Sequence, residues 1–299
     1  MDELHAANRR AILGEDEEAM EARVVALFPG ARVFHREVSV GALFGLELPG
    51  ARRVAVKVHR GEPLLLAEVQ RVQVALSDAG FPCPRPMLAP TAVGERVATA
   101  EEWLEGERAD ARRPEIRLVL ADALRRQIDL SPPADLPRPH PREQLWPEPH
   151  NALFDFERSR PGAEWIDAVA ERARAAMALE PLVVGHADWS SKHFRFAAGR
   201  LSAVFDWDSL RLDSVASFAG WAAATHTAAL DVLSCWRPEV AEAAAFLADF
   251  GCESPPARAA AVYAVAYTAR CEHALERAGA TRFVTAARSA LPGFAAELL

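Results

Sequence analysis

Residues Val183 to Asp208 read VVGHADWSSKHFRFAAGRLSAVFDWD. The β-formers Val183 and Val184 run into a loop holding His186 and Asp188. A second apolar run, residues 201–205, delivers Asp206 at its own end. Only Ala198-Gly199-Arg200 precedes that second run, a length and composition typical of a tight turn, so the two runs are expected to pair as a hairpin. Two carboxylates from neighbouring strand ends would then face one spot.

This segment resembles the catalytic core of the aminoglycoside phosphotransferase and choline kinase family, which shares the protein-kinase fold. The family pattern is His-Gly-Asp, four residues, Asn, then a hairpin to Ile-Asp-Trp. Here it stands as His186-Ala187-Asp188, Trp189 to Lys192, His193, and finally Phe205-Asp206-Trp207. The resemblance implies an α+β, two-lobed chain. Residues 1–103 would form a small antiparallel-sheet lobe that binds nucleotide, and residues 104–299 a larger, mainly helical lobe for catalysis and acceptor binding. It implies ATP and Mg²⁺ as cofactors and a small-molecule hydroxyl as acceptor. Asp188 would take the hydroxyl proton, Asp206 would hold the cation, and His186 would orient the loop.

The chain departs from the pattern in two places. His193 stands where the family has a second magnesium-binding Asn, and a hard cation prefers oxygen to imidazole nitrogen. Downstream, Leu212-Asp213-Ser214-Val215-Ala216-Ser217-Phe218 replaces the Gly-Asp-Pro and further Asp that brace the family's loop. Asp213 can answer the first acidic position, but the last is missing.

Of 34 lysines and arginines, only Lys57 and Lys192 are lysines, which marks both. Lys57 closes the apolar alternation Val54-Ala55-Val56-Lys57, a strand pattern matching the kinase-fold strand whose Lys grips the α- and β-phosphates. Lys192 lies inside the catalytic loop, within reach of a transferring phosphoryl. Residues 15–28 read as a helix ended by Pro29-Gly30, and residues 32–40, 42–48 and 53–59 as strands. Gly41 and Gly45 fall at and after the first turn, where the fold would lay backbone over phosphates. Residues 63–79 have helical period, with Glu68 the candidate partner of Lys57 and Glu62 its rival. Residues 80–90 read as a Pro-rich connector, followed by a strand pair at 91–93 and 96–101. Glu101 to Gly106 then occupies the family's hinge, so the backbones of Glu102 and Leu104 are the candidates to hold adenine.

Beyond the hinge, residues 114–130 and 164–179 read as helices separated by a proline cluster at 131–149. Helical stretches are expected at 215–236, 238–250, 256–278 and 281–298. Among the histidines outside the loop, those at 140, 150, 226 and 273 read as helix-surface or loop residues.

A net charge of −8 and a pI near 5.7 argue against nucleic acid and suit a cationic acceptor. Cys83, Cys235, Cys252 and Cys271 lack metal-site spacing and read as reduced thiols. The charged start MDELHAANRR is unlike a signal peptide and no run reaches membrane-spanning length, so a cytoplasmic monomer or homodimer is expected. An aminoglycoside-like or other cationic antibiotic would suit acidic groups drawn from Asp208, Asp213, Asp231, Glu239, Glu242 and Glu272, or Trp207 and Trp221 stacking on it. The competing readings are a nucleotide-binding pseudokinase and a hydrolase with His186, Asp188 and His193 as metal ligands. The second leaves Lys57 unexplained.

Overall fold

A computed structural model describes residues 13, 16–38, 41–141, 143–148, 154–177, 181–228, 236–279 and 286–299. His150, Asp231 and Cys235 lie outside the described residues, as do the ends expected for several elements. The chain divides into two compact units, Met1–Glu105 and Gly106–Leu299; the sequence reading put the division after Trp103.

The first unit is built on a five-stranded antiparallel sheet, in the order β1-β2-β3-β5-β4. Its strands are β1 (Arg32–Val38), β2 (Ala42–Glu47), β3 (Arg53–His59), β4 (Pro86–Val93) and β5 (Arg96–Glu102). Helix α1 (Glu17–Ala26) starts at Asp16, whose carboxylate accepts the Ala19 N–H at 2.8 Å, an N-cap bond. Alternation sorts β3 into two faces: Val54, Val56 and Val58 are buried with Phe44, Leu46, Ala98 and Ala100, and Met20 and Val24 of α1 close that core. Lys57 lies on the other face, beside Thr99 of β5.

One expectation fails here: the stretch 80–90 is not all connector, because β4 begins at Pro86. Pro86 and Pro90 are tolerated because β4 is the edge of the sheet, and its register slips on both sides of Leu88. Helix α2 (Pro63–Asp78) opens with Pro at its first turn, where no N–H is needed.

The second unit holds α3 (Pro114–Leu130), α4 (Glu164–Ala176), α5 (Val215–Thr225), α6 (Val240–Phe250), α7 (Pro255–Arg277) and α8 (Ala287–Leu298). Helix α5 therefore stops well short of residue 236. Helix α7 fully buries Ala257, Ala259, Ala260, Ala261, Ala264, Ala266 and Ala269. A β-carbon on Gly220 of α5 would lie 2.3 Å from the Ala257 carbonyl and 2.5 Å from Ala260 Cβ, so the two helices touch backbone to backbone and only glycine fits.

Candidate active site

Four short strands position the site, and they do not pair as the sequence suggested. Strand β6 (Leu182–His186) pairs with β9 (Leu210–Ser214), a strand the sequence reading missed, while β7 (Phe194–Ala197) pairs with β8 (Arg200–Val204) through the Ala198-Gly199 turn. The hairpin is thus β7–β8, and the Val183-Val184 run belongs to a separate two-stranded ribbon. His186 faces Leu210 in that ribbon, and the Ala187 N–H donates to the Ser209 carbonyl at 3.3 Å. The chain leaves the ribbon at Ala187 and re-enters it at Ser209, so Asp188 and Asp206 stand near the two ends of one closed loop.

Within that loop Ser191–His193 forms a single 3-10 turn, and four bonds tie the turn's neighbourhood to the last residue of α5 and the segment after it. The Ser191 N–H donates to the His226 carbonyl (3.0 Å), its hydroxyl to the Ala228 carbonyl (2.7 Å), the Lys192 N–H to the same carbonyl (3.2 Å), and the Thr225 hydroxyl to the Trp189 carbonyl (3.4 Å).

Asp188 is the centre of charge. Its Oδ2 lies 2.8 Å from Lys192 Nζ and 2.9 Å from His193 Nε2, and its Oδ1 accepts the Ser190 hydroxyl at 3.0 Å. Burial works to raise this carboxyl, but the charges and hydrogen bonds of His193 and Lys192 outweigh it and hold Asp188 well below the usual carboxylate range. The group is ionised at neutral pH. His193 Nε2 is also 3.5 Å from Asp206 Oδ2, so one imidazole nitrogen stands between the two carboxylates.

Asp206 is held by its neighbour. The Phe205 N–H donates to the His193 carbonyl (3.0 Å) and the Phe205 carbonyl accepts His186 Nε2–H (2.8 Å). Asp206 itself has φ +71° and ψ +45°, the left-handed region, which Asp enters more readily than most residues. His186 is fully buried, and desolvation, with His193 nearby, pushes it down to about 4. Neutral, and donating from Nε2, it offers Nδ1 as the acceptor for the Ser209 hydroxyl at 3.1 Å. Its own N–H donates to Gln127 Oε1 of α3 at 3.0 Å. Gln127 was not anticipated; the available signal was an amide at the inward phase of α3, in line with Ile116, Leu120 and Leu124.

In the first unit, Lys57 Nζ lies 3.6 Å from Glu101 Oε1, on the neighbouring strand and the same face. Glu68 is gripped by Arg71 at 2.8 and 2.9 Å. At Gly41 a β-carbon would lie 2.7 Å from the Val58 carbonyl, so the glycine there permits close backbone approach. The Glu102 N–H donates to the Arg85 carbonyl (3.0 Å), and the Trp103 N–H to the Arg53 carbonyl (3.2 Å). Both N–H groups are therefore occupied within the sheet. Leu104 follows directly, before the division at Glu105.

Several other candidates are corrected by burial. Trp207 is buried against His186, its indole donating to the Val204 carbonyl at 2.7 Å, so it offers no stacking face. Glu272 is buried and accepts the Ala287 and Arg288 N–H groups (3.1 and 2.9 Å), closing the start of α8. Asp213 is paired with Arg211 at 3.2 Å, and that guanidinium lies over Trp221. Glu242 is paired with Arg117. His226 and His273 are buried, not surface residues. Cys83, Cys252 and Cys271 are free thiols. Among the described residues no helix is long and apolar enough to cross a membrane.

Asp188, His193 and Asp206 each offer one donor atom, all within 4.8 Å of one another. Ligands sharing an edge of an octahedral ion sit about 3 Å apart, so the 2.9 and 3.5 Å separations suit a small divalent cation.

The model of the phosphotransferase enzyme family matches residues 44–278, which take in both units' candidate residues from Lys57 to Asp206. The chain belongs to that family. Among solved structures it is similar to an amicoumacin kinase in complex with AMP-PNP, Ca²⁺ and its ligand, at 12% identity, TM-score 0.67, and 94% and 93% coverage of the two chains. It is also similar to a thermostable aminoglycoside phosphotransferase mutant in a ternary complex with ADP and hygromycin B (14%, 0.61, 92% and 97%). A third is an aminoglycoside phosphotransferase from Alicyclobacillus acidocaldarius (14%, 0.56, 92% and 93%). At these identities the likeness establishes the α+β kinase-like fold. No curated protein matches the chain.

Proposed function

We propose that this phosphotransferase-family chain transfers the γ-phosphate of ATP to a hydroxyl of a small molecule, an aminoglycoside-like or other cationic antibiotic being the first class to test. The observation that carries the reading is the pair Asp188 and Asp206, set at the two ends of one loop and joined through His193. Neighbours that bind ATP analogues or ADP together with hygromycin B or amicoumacin support it.

In this reading Asp188 aligns the attacking hydroxyl. A carboxylate held at low pKa is a weak base, so it takes the proton late, which suits a loose phosphoryl-transfer transition state where the nucleophile's charge changes little early on. Lys192, at 2.8 Å from Asp188, keeps its positive charge beside the transferring group. Lys57 grips phosphate in competition with Glu101, and Gly41 lets backbone approach it. Asp206 and His193 hold the divalent cation, which when bound offsets charge on the phosphate oxygens. Glu68, Glu102 and Leu104 keep the roles that the family resemblance implies, Glu102 through its carbonyl because its N–H is engaged. Asp208, exposed two residues beyond Asp206, is the acidic group best placed to meet a cationic acceptor.

Purified protein with ATP and Mg²⁺ or Mn²⁺ should release ADP in the presence of one acceptor class from a panel of aminoglycosides, peptide antibiotics, choline and sugars. Nucleotide binding without acceptor-dependent ADP release would leave the pseudokinase reading instead.

A further inference from the structure

We propose that the cation site of this chain includes an imidazole nitrogen, His193 Nε2, and that it therefore favours a divalent metal more tolerant of nitrogen, such as Mn²⁺, over Mg²⁺. The inference rests on the phosphotransfer reading only in placing the cation beside a nucleotide. Three observations carry it. First, the donor atoms of Asp188, His193 and Asp206 form one cluster, with His193 Nε2 within 2.9 and 3.5 Å of the two carboxylates. Second, the imidazole is placed in advance. The His193 N–H donates to the Ser190 carbonyl (2.9 Å), its carbonyl accepts the Phe205 N–H (3.0 Å), and its side chain is only 14% exposed. Little ordering remains to be done when a metal arrives. Third, the donor set is mixed. Carboxylates suit Mg²⁺ and Mn²⁺ alike, but Mn²⁺ accepts an imidazole nitrogen more readily than Mg²⁺ does, so adding one nitrogen moves the preference from Mg²⁺ towards Mn²⁺.

Loading the site changes the environment of Asp188. Nε2 now donates its proton to Asp188 Oδ2; as a ligand it must present a lone pair, with the ring's single proton on Nδ1. The metal takes the place of that proton, and Asp188 loses one of its donors while keeping Lys192.

The test uses full-length protein, Mn²⁺ and a non-hydrolysable ATP analogue. Pulsed electron spin-echo spectra of the bound ion should show ¹⁴N modulation from a directly bound imidazole. His193→Asn and His193→Gln should both abolish it, and both should lower the Mn²⁺ over Mg²⁺ preference, measured by competition, by about tenfold. Asp206→Asn should weaken both metals together. Circular dichroism establishes that each variant is folded. Modulation that persists in the folded His193 variants, an unchanged metal preference, or no Mn²⁺ bound by the wild-type protein would each overturn the proposal. Imidazole coordination without acceptor-dependent ADP release would instead sink the phosphotransfer reading and leave this one standing.

Discussion

The buried side-chain amide of Gln127 accepts the His186 N–H at 3.0 Å, and through that bond helix α3 holds the strand that leads into the loop carrying Asp188 and Asp206. The same amide donates to the Ser131 hydroxyl at 2.7 Å. Gln127→Leu removes the acceptor, leaves a buried N–H unpaired, and should cost about 1–3 kcal/mol of stability in urea unfolding. Gln127→Leu should also lower turnover, and Gln127→Glu, which keeps an acceptor oxygen, should recover part of that loss. Equal turnover in the Leu and Glu variants would mean that the bond does not position the loop.

Asp188 is ionised and fully engaged. Asp188→Asn should lower turnover by at least about a hundredfold while leaving nucleotide affinity nearly unchanged. The comparison of single-turnover rate with ATP affinity checks this, and a variant as active as the wild type ends the proposed role.

Lys57 has Glu101 for a partner at 3.6 Å. Lys57→Ala should weaken ATP far more than adenosine, because only the phosphates feel the ammonium. Titrating both ligands decides it; equal losses would make Lys57 a structural charge of the sheet.

His226 is buried beside the Asp188–Asp206 loop, its carbonyl accepting the Ser191 N–H at 3.0 Å, its Nδ1–H donating to the Ala223 carbonyl at 3.1 Å and its ring packed on Phe246. Desolvation pushes it down to about 4, below an unfolded value of about 6.5. Between those values the unfolded chain binds more protons than the folded one, so stability is complete above about pH 6.5 and falls as pH drops towards 4. From pH 8 to pH 5 this one group should remove about 2 kcal/mol. Urea midpoints across that range should fall less in His226→Gln than in the wild type, and parallel curves would refute the assignment.

The family and the α+β kinase-like fold were legible in the sequence because their signals are local. His186-x-Asp188 and Asp206-Trp207 are short, and the alternation of Val54, Val56 and Val58 declares a half-buried strand within a few residues. Strand pairing was less legible. Leu210 to Ser214 offers only Leu-Arg-Leu alternation, and its partner lies on the far side of the whole loop, so nothing local distinguished β9 from the start of a helix. Glu272 and Trp207 misled for a related reason: whether such a side chain meets solvent or a buried partner depends on Ala287, Arg288 and His186, which arrive through tertiary packing. The glycines were ambiguous too, since Gly41 and Gly220 answer to neighbours, Val58 and Ala257, distant in sequence.

The left-handed backbone at Asp206 carries an evolutionary consequence. Glycine adopts that conformation without strain and asparagine adopts it as readily as aspartate, so replacing the carboxylate by either leaves the turn no harder to form. If Asp206 holds the cation as proposed, a lineage can shed catalysis here in a single substitution and still inherit a well-folded molecule. On that reading inactivation and misfolding are separable at this position, and folding alone would not keep the aspartate in place.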